Sequence, residues 1–143
     1  MQAIIKRIDG TSLIGKADSN HWVTMDTSPA GGGHAAGASP MELVMLAAGG
    51  CISMDVLAIL AKKRVILEDY ECRVEAERAE EHPRVYTRMH IQFVFYGEKI
   101  PPEAVERAIS LSEEKYCSVM AMLRKSVPVT VGYELRAGKK QPA

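Results

Sequence analysis

The chain carries no excess of either charge: 18 lysines and arginines stand against 18 aspartates and glutamates, for a formal net charge of zero. Without a basic field there is nothing to draw nucleic acid or an anionic membrane, and neither is expected as a partner. A chain with no net charge also gains little repulsion between copies, so self-association is expected. Long hydrophobic runs are missing as well. The longest, Leu43 to Ile52, is shorter than a bilayer requires and contains Gly49 and Gly50. The opening residues, MQAIIKRIDG, have neither the apolar stretch of a signal peptide nor the composition of a transit peptide. A soluble, cytoplasmic protein is the expectation.

Cysteine is scarce and odd in number, with three in the chain, which argues against a structural disulfide framework. A working cysteine would act as a thiol or in a transient disulfide. No CxxC and no HExxH occurs, and His21, His34, His82 and His90 share no spacing with the cysteines, so a metal site is not expected. The glycines of AGGGHAAG lack the lysine and serine of a phosphate-binding loop, and no serine sits in a G-x-S-x-G elbow. There is no internal repeat.

What is present is one domain's worth of chain, residues 1–143, with 47% apolar residues and enough length to bury a core. QAIIKRI and SLIGKA read as strands about the turn dipeptide Asp9-Gly10, and HWVTMD as a third. Residues 27–38, TSPAGGGHAAGA, read as a mobile loop. Ser39, Pro40 and Glu42 then supply an N-cap, a first-turn proline and the S-x-x-E capping box of a helix running to Arg64. This helix is apolar nearly all round, which in so short a chain calls for cover from a second subunit.

Further on, Tyr70, Cys72, Val74 and Ala76 alternate with charged residues, and Met89, Ile91, Phe93 and Phe95 share one face of a returning strand. Prolines 101 and 102 open a helix, Ser112 is placed to cap a second segment through Cys117 to about Lys125, VPVTVGYEL is a last strand, and RAGKKQPA is a polar tail. The order predicts an α+β protein with antiparallel sheet.

Cys72 reads as a small buried hydrophobe on the inward face of its strand. Cys51 lies mid-helix with the anionic Asp55 one turn on, and Cys117 follows Glu113 and Glu114 by one turn. Taken alone, each reads more readily as core than as chemistry, and a thiolate at Cys51 would need a cation from elsewhere in the fold.

Taken together, SPMELVMLAAGGCISMDVLAILAKKR and the later EKYCSVMAML resemble the OsmC/Ohr family of thiol-dependent hydroperoxide reductases, and most of all its YhfA-like subgroup. The resemblance runs over nearly the whole chain. It implies a single OsmC-like domain, and an intertwined α+β homodimer with antiparallel sheets wrapped around long central helices. It implies a peroxidatic Cys51 and a resolving Cys117 that form a transient disulfide while reducing an organic hydroperoxide. An external dithiol, such as a lipoyl group, would restore the thiols, with no dissociable cofactor and no metal. Where peroxidase members carry a glutamate ten residues before the first cysteine, Met41 stands here, with Glu42 beside it. Where they use an arginine from the first β region, DGTSLIGKADSNHW offers Lys16. Glu42 and Lys16 are therefore the candidate supporting residues. The alternative is a dimer of the same fold that binds a hydrophobic small molecule or senses redox state without peroxidase activity.

Overall fold

A computed structural model describes residues 1–139, so the last four residues of the polar tail lie outside the described part. The chain forms two compact units, Met1–Val44 and the remainder from Met45 onward.

The first unit is a three-stranded antiparallel meander in the order β1 (Ala3–Asp9), β2 (Ser12–Ala17), β3 (Val23–Met25). Its first turn requires the glycine of Asp9-Gly10, because Gly10 has φ +51° in the left-handed region. The loop of residues 27–38 is built around one carboxylate. Asp26, at 3% exposure, accepts hydrogen bonds from the hydroxyls of Ser12 (2.8 Å) and Thr11 (3.1 Å) and from the amides of Thr27, His34 and Ala36 (2.8, 3.0 and 3.1 Å). Periodicity does not register this, because the loop's order comes from one side chain satisfying scattered backbone donors.

Burial works against ionisation of Asp26, but the hydrogen bonds from the His34 amide, the Ser12 hydroxyl and the Ala36 and Thr27 amides outweigh it. The carboxyl is therefore held well below the usual carboxylate range. A depressed folded value means that Asp26 adds stability in full above the unfolded value of about 3.9 and loses it as pH falls toward the folded one. Acidification should accordingly speed amide exchange at His34 and Ala36, and Asp26→Asn should flatten that acid dependence. An unchanged pH slope in the variant would contradict this account.

The capping box forms as expected at the start of α1 (Pro40–Lys62). The Ser39 amide donates to Glu42 Oε2 at 2.6 Å, and the Glu42 amide donates to Ser39 Oγ at 3.3 Å. The helix continues into the second unit, where Ile52, Val56 and Leu60, four residues apart, are fully buried. By length and composition α1 is apolar enough to cross a membrane, contrary to the expectation from its interrupted apolar run. Few charged residues interrupt the helix, and its Ser53 and Asp55 are hydrogen-bonded within the protein. Leu46 and Met54 on α1 are 63% and 75% exposed.

The second unit's sheet has the order β4 (Asp69–Arg78), β5 (Tyr86–Tyr96), β6 (Val129–Arg136). The β4–β5 pair is antiparallel, as expected, and its register sets Cys72 opposite Phe93 and Val74 opposite Ile91. The β5–β6 pair corrects the expectation of a wholly antiparallel sheet, since β6 runs parallel to β5. Between them lie α2 (Pro102–Leu111) and α3 (Ser118–Leu123), a helical crossover of the kind that returns a chain to start a parallel strand. Met89, Ile91, Phe93 and Phe95 of β5 are fully buried with Val105 and Met120, each such side chain contributing about 1.5–3 kcal/mol.

Gly49, one of two adjacent glycines within α1, marks a close approach. A Cβ there would stand 2.7 Å from Val74 Cγ2 and 3.4 Å from Cys72 Sγ, so α1 lies directly on β4 at this point. Gly49→Ala should lower stability by about 1–3 kcal/mol in urea unfolding, as overpacked cores do. A variant as stable as the wild type would show that α1 can lift from β4 at no cost. Gly50 faces open space in the described chain.

Candidate functional site: a dithiol beside a carboxylate

Cys51 and Asp55 are one helical turn apart in α1 and so share a face. The path to Cys117 departs from the expected continuous helix. After α2 the chain makes a single π turn over Ser112–Tyr116, closed by the Cys117 amide donating to the Ser112 carbonyl at 2.9 Å. Cys117 then leaves helical geometry, with φ −73° and ψ 99°, and serves as N-cap of α3. Ser112, expected to cap a helix, opens the π turn and is fully buried. Such one-turn insertions re-aim side chains and recur at functional sites. Here Ser112 donates through its hydroxyl to Asp55 Oδ2 at 2.9 Å, while Cys117 caps α3 by accepting the Met120 amide at 3.5 Å.

These elements bring together Cys51 Sγ, Cys117 Sγ and a carboxylate oxygen of Asp55, all within 4.8 Å of one another. All three cysteines are free thiols, and an S–S bond is only about 2.05 Å long, so side-chain rotation must precede any disulfide here. The two sulfurs differ in setting. Cys51 is half-buried, whereas Cys117 is 2% exposed. Burial pushes the Cys117 thiol up to about 11; the Met120 amide opposes this, and the hydrogen bond with Cys51 and the charges of Cys51 and Asp55 reinforce it. Cys117 therefore holds its proton at neutral pH.

Cys72 stands apart from this group. Its sulfur is 4.0 Å from the Gly49 carbonyl, and burial raises its thiol against the lowering effect of Ser53 and Tyr70. Nearby, the Tyr70 hydroxyl donates to Ser53 Oγ at 2.6 Å, and Ser53 donates to the Gly49 carbonyl at 2.5 Å, a chain that ties α1 to β4. The structural role expected for Cys72 agrees with this setting.

The two candidate supporting residues belong to the first unit. Lys16, on β2, hydrogen-bonds the side chain of Asn20 and sits 4.9 Å from the centre of the Trp22 ring. Glu42 is engaged in the capping box, where the Ser39 hydroxyl and then its amide pull the carboxyl below its ordinary value. The residues that sequence reasoning undervalued are Asp55 and Ser112. The four-residue spacing from Cys51 signalled the first. Nothing local signalled the second, because its inward turn depends on a π turn.

The chain has relatives. A family model described as OsmC-like protein matches residues 31–132. Protein YhfA of Escherichia coli (strain K12) is 42% identical over 137 residues, covering 96% of this chain and 99% of its own. The crystal structure of a hypothetical protein from Aquifex aeolicus VF5 matches with a TM-score of 0.84 at 30% identity, over 96% of this chain and 97% of that one. An organic hydroperoxide resistance protein OsmC from Legionella pneumophila matches with a TM-score of 0.68 at 14% identity, over 94% and 97% of the two chains, a likeness of fold alone. The chain belongs to the OsmC-like protein family.

Proposed function

We propose that the protein is a thiol-dependent redox protein of the organic hydroperoxide reductase type, with Cys51 as attacking and Cys117 as resolving thiol. The observation that carries this reading is the asymmetry of two neighbouring sulfurs, one half-exposed and one buried with its proton retained. A hydroperoxide ROOH meets Cys51 first. The Cys51 thiolate forms a bond to the distal oxygen as the O–O bond breaks, the departing alkoxide takes up a proton as ROH, and Cys51 is left as a sulfenic acid. Cys117 then attacks the Cys51 sulfur. Its proton leaves with the hydroxyl as water, Asp55 being the carboxylate near enough to pass it on, and a disulfide remains. An external dithiol, a lipoyl group among them, returns two electrons and two protons, so the cycle uses no dissociable cofactor.

The same reading makes residues 1–143 one OsmC-like domain in a cytoplasmic homodimer. The exposed Leu46 and Met54, with the open Gly50 between them on α1, support a second copy as the cover for that face. The name of the Legionella pneumophila neighbour is in keeping with an organic substrate.

The second reading, a dimer that binds a hydrophobic small molecule or senses redox state, is favoured by Asp55. Its charge works against ionisation of Cys117. Reduced protein with an added dithiol should consume cumene hydroperoxide over many turnovers and prefer it to hydrogen peroxide. Consumption no faster than the protein-free reaction would leave the second reading in place.

A further inference from the structure

A dithiol redox centre needs two sulfurs, and here a carboxylate, Asp55, stands beside both of them. Its charge opposes ionisation of Cys117, yet the fold supports it with a hydrogen bond from the fully buried Ser112. A cation shared by all three groups removes the conflict. Cys51 Sγ, Cys117 Sγ and a carboxylate oxygen of Asp55 lie within 4.8 Å of one another. Around a tetrahedral Zn²⁺ with Zn–S of about 2.3 Å and Zn–O of about 2.1 Å, those atoms would stand about 3.6–3.8 Å apart. Modest side-chain rotation closes the set. Two of the ligands share a face of one helix, the third is fixed at the π turn, and Ser112 orients the carboxylate as hydrogen-bond partners of metal ligands do. Two thiolates with one carboxylate favour a borderline-soft divalent ion over Mg²⁺ or Ca²⁺.

We propose that the reduced site binds Zn²⁺ through Cys51, Cys117 and Asp55, with a fourth position open, and that metal capture and disulfide formation exclude one another. Capture is balanced by release of two thiol protons, with no change of oxidation state. It does not depend on hydroperoxides being the substrate. It makes the site a switch between a metal-held reduced form and a metal-free form open to oxidation.

Co²⁺ added alone to the reduced full-length protein provides the test. One equivalent per chain should bind, with the near-ultraviolet thiolate-to-cobalt charge-transfer band and the visible bands of tetrahedral cobalt, and Zn²⁺ should displace it. Ser112→Ala should weaken binding by about 10–100-fold, the usual effect of removing an outer hydrogen-bond partner, and Asp55→Asn should weaken it at least as much. Cys72→Ser should bind like the wild type, and protein carrying a Cys51–Cys117 disulfide should not bind. Absence of the thiolate band would overturn the proposal, as would equal affinity in Asp55→Asn and wild type, or binding that survives Cys51→Ser with Cys117→Ser. The redox reading fails separately, if metal-free protein treated with cumene hydroperoxide keeps all its thiols.

Discussion

Cys51→Ser is expected to reduce hydroperoxide consumption to the uncatalysed rate, while Cys72→Ser leaves it unchanged. The chemistry needs a sulfur that can be oxidised and then attacked at sulfur; a serine hydroxyl at the same place can do neither. The proposed role falls to Cys51 because it is the half-exposed member of the pair, whereas Cys117 is 2% exposed and keeps its proton. Cys72 cannot substitute. It lies against the Gly49 carbonyl with its thiol raised by burial, outside the Cys51–Asp55–Cys117 group. Stopped assays with cumene hydroperoxide and a dithiol measure this directly. Residual turnover in Cys51→Ser would move the attacking role to another residue.

Cys117→Ser is expected to abolish turnover in a different way. Cys51 would still take one oxidising equivalent per chain, but with no neighbouring thiol its sulfenic acid would persist, become trappable by dimedone, and advance to sulfinic acid under excess oxidant. The wild type should show little of either product, because Cys117 lies close enough to close the disulfide after a side-chain rotation. Mass spectrometry of the Cys51 peptide separates the two outcomes. A wild type and a variant that accumulate sulfinic acid equally would remove Cys117 from the resolving role.

Much of the frame was legible in the chain. Period-2 alternation in Tyr70–Ala76 and Met89–Phe95 gave the β4–β5 pair and its inward face, and Ser39–Glu42 marked the start of α1 to the residue. The direction of β6 was not legible, since a strand's own pattern does not say which way its neighbour runs; the helical crossover decides that. Pairing of Cys51 with Cys117 was carried by resemblance to known sequences. Local periodicity placed Cys117 inside a helix, and only the π turn from Ser112 shows why it ends one segment and caps the next. The loop around Asp26 was likewise hidden, because its glycines report freedom while its order comes from a single buried carboxylate.

In the proposed cycle Cys51 and Cys117 form one redox unit within a single chain. Peptide mapping of fully reduced, metal-free protein after one equivalent of cumene hydroperoxide tests it most directly. Loss of two thiols per chain is expected, with a Cys51–Cys117 peptide pair from the same chain and Cys72 still free. A disulfide joining Cys51 of two chains, a pair that includes Cys72, or three thiols left intact would contradict it.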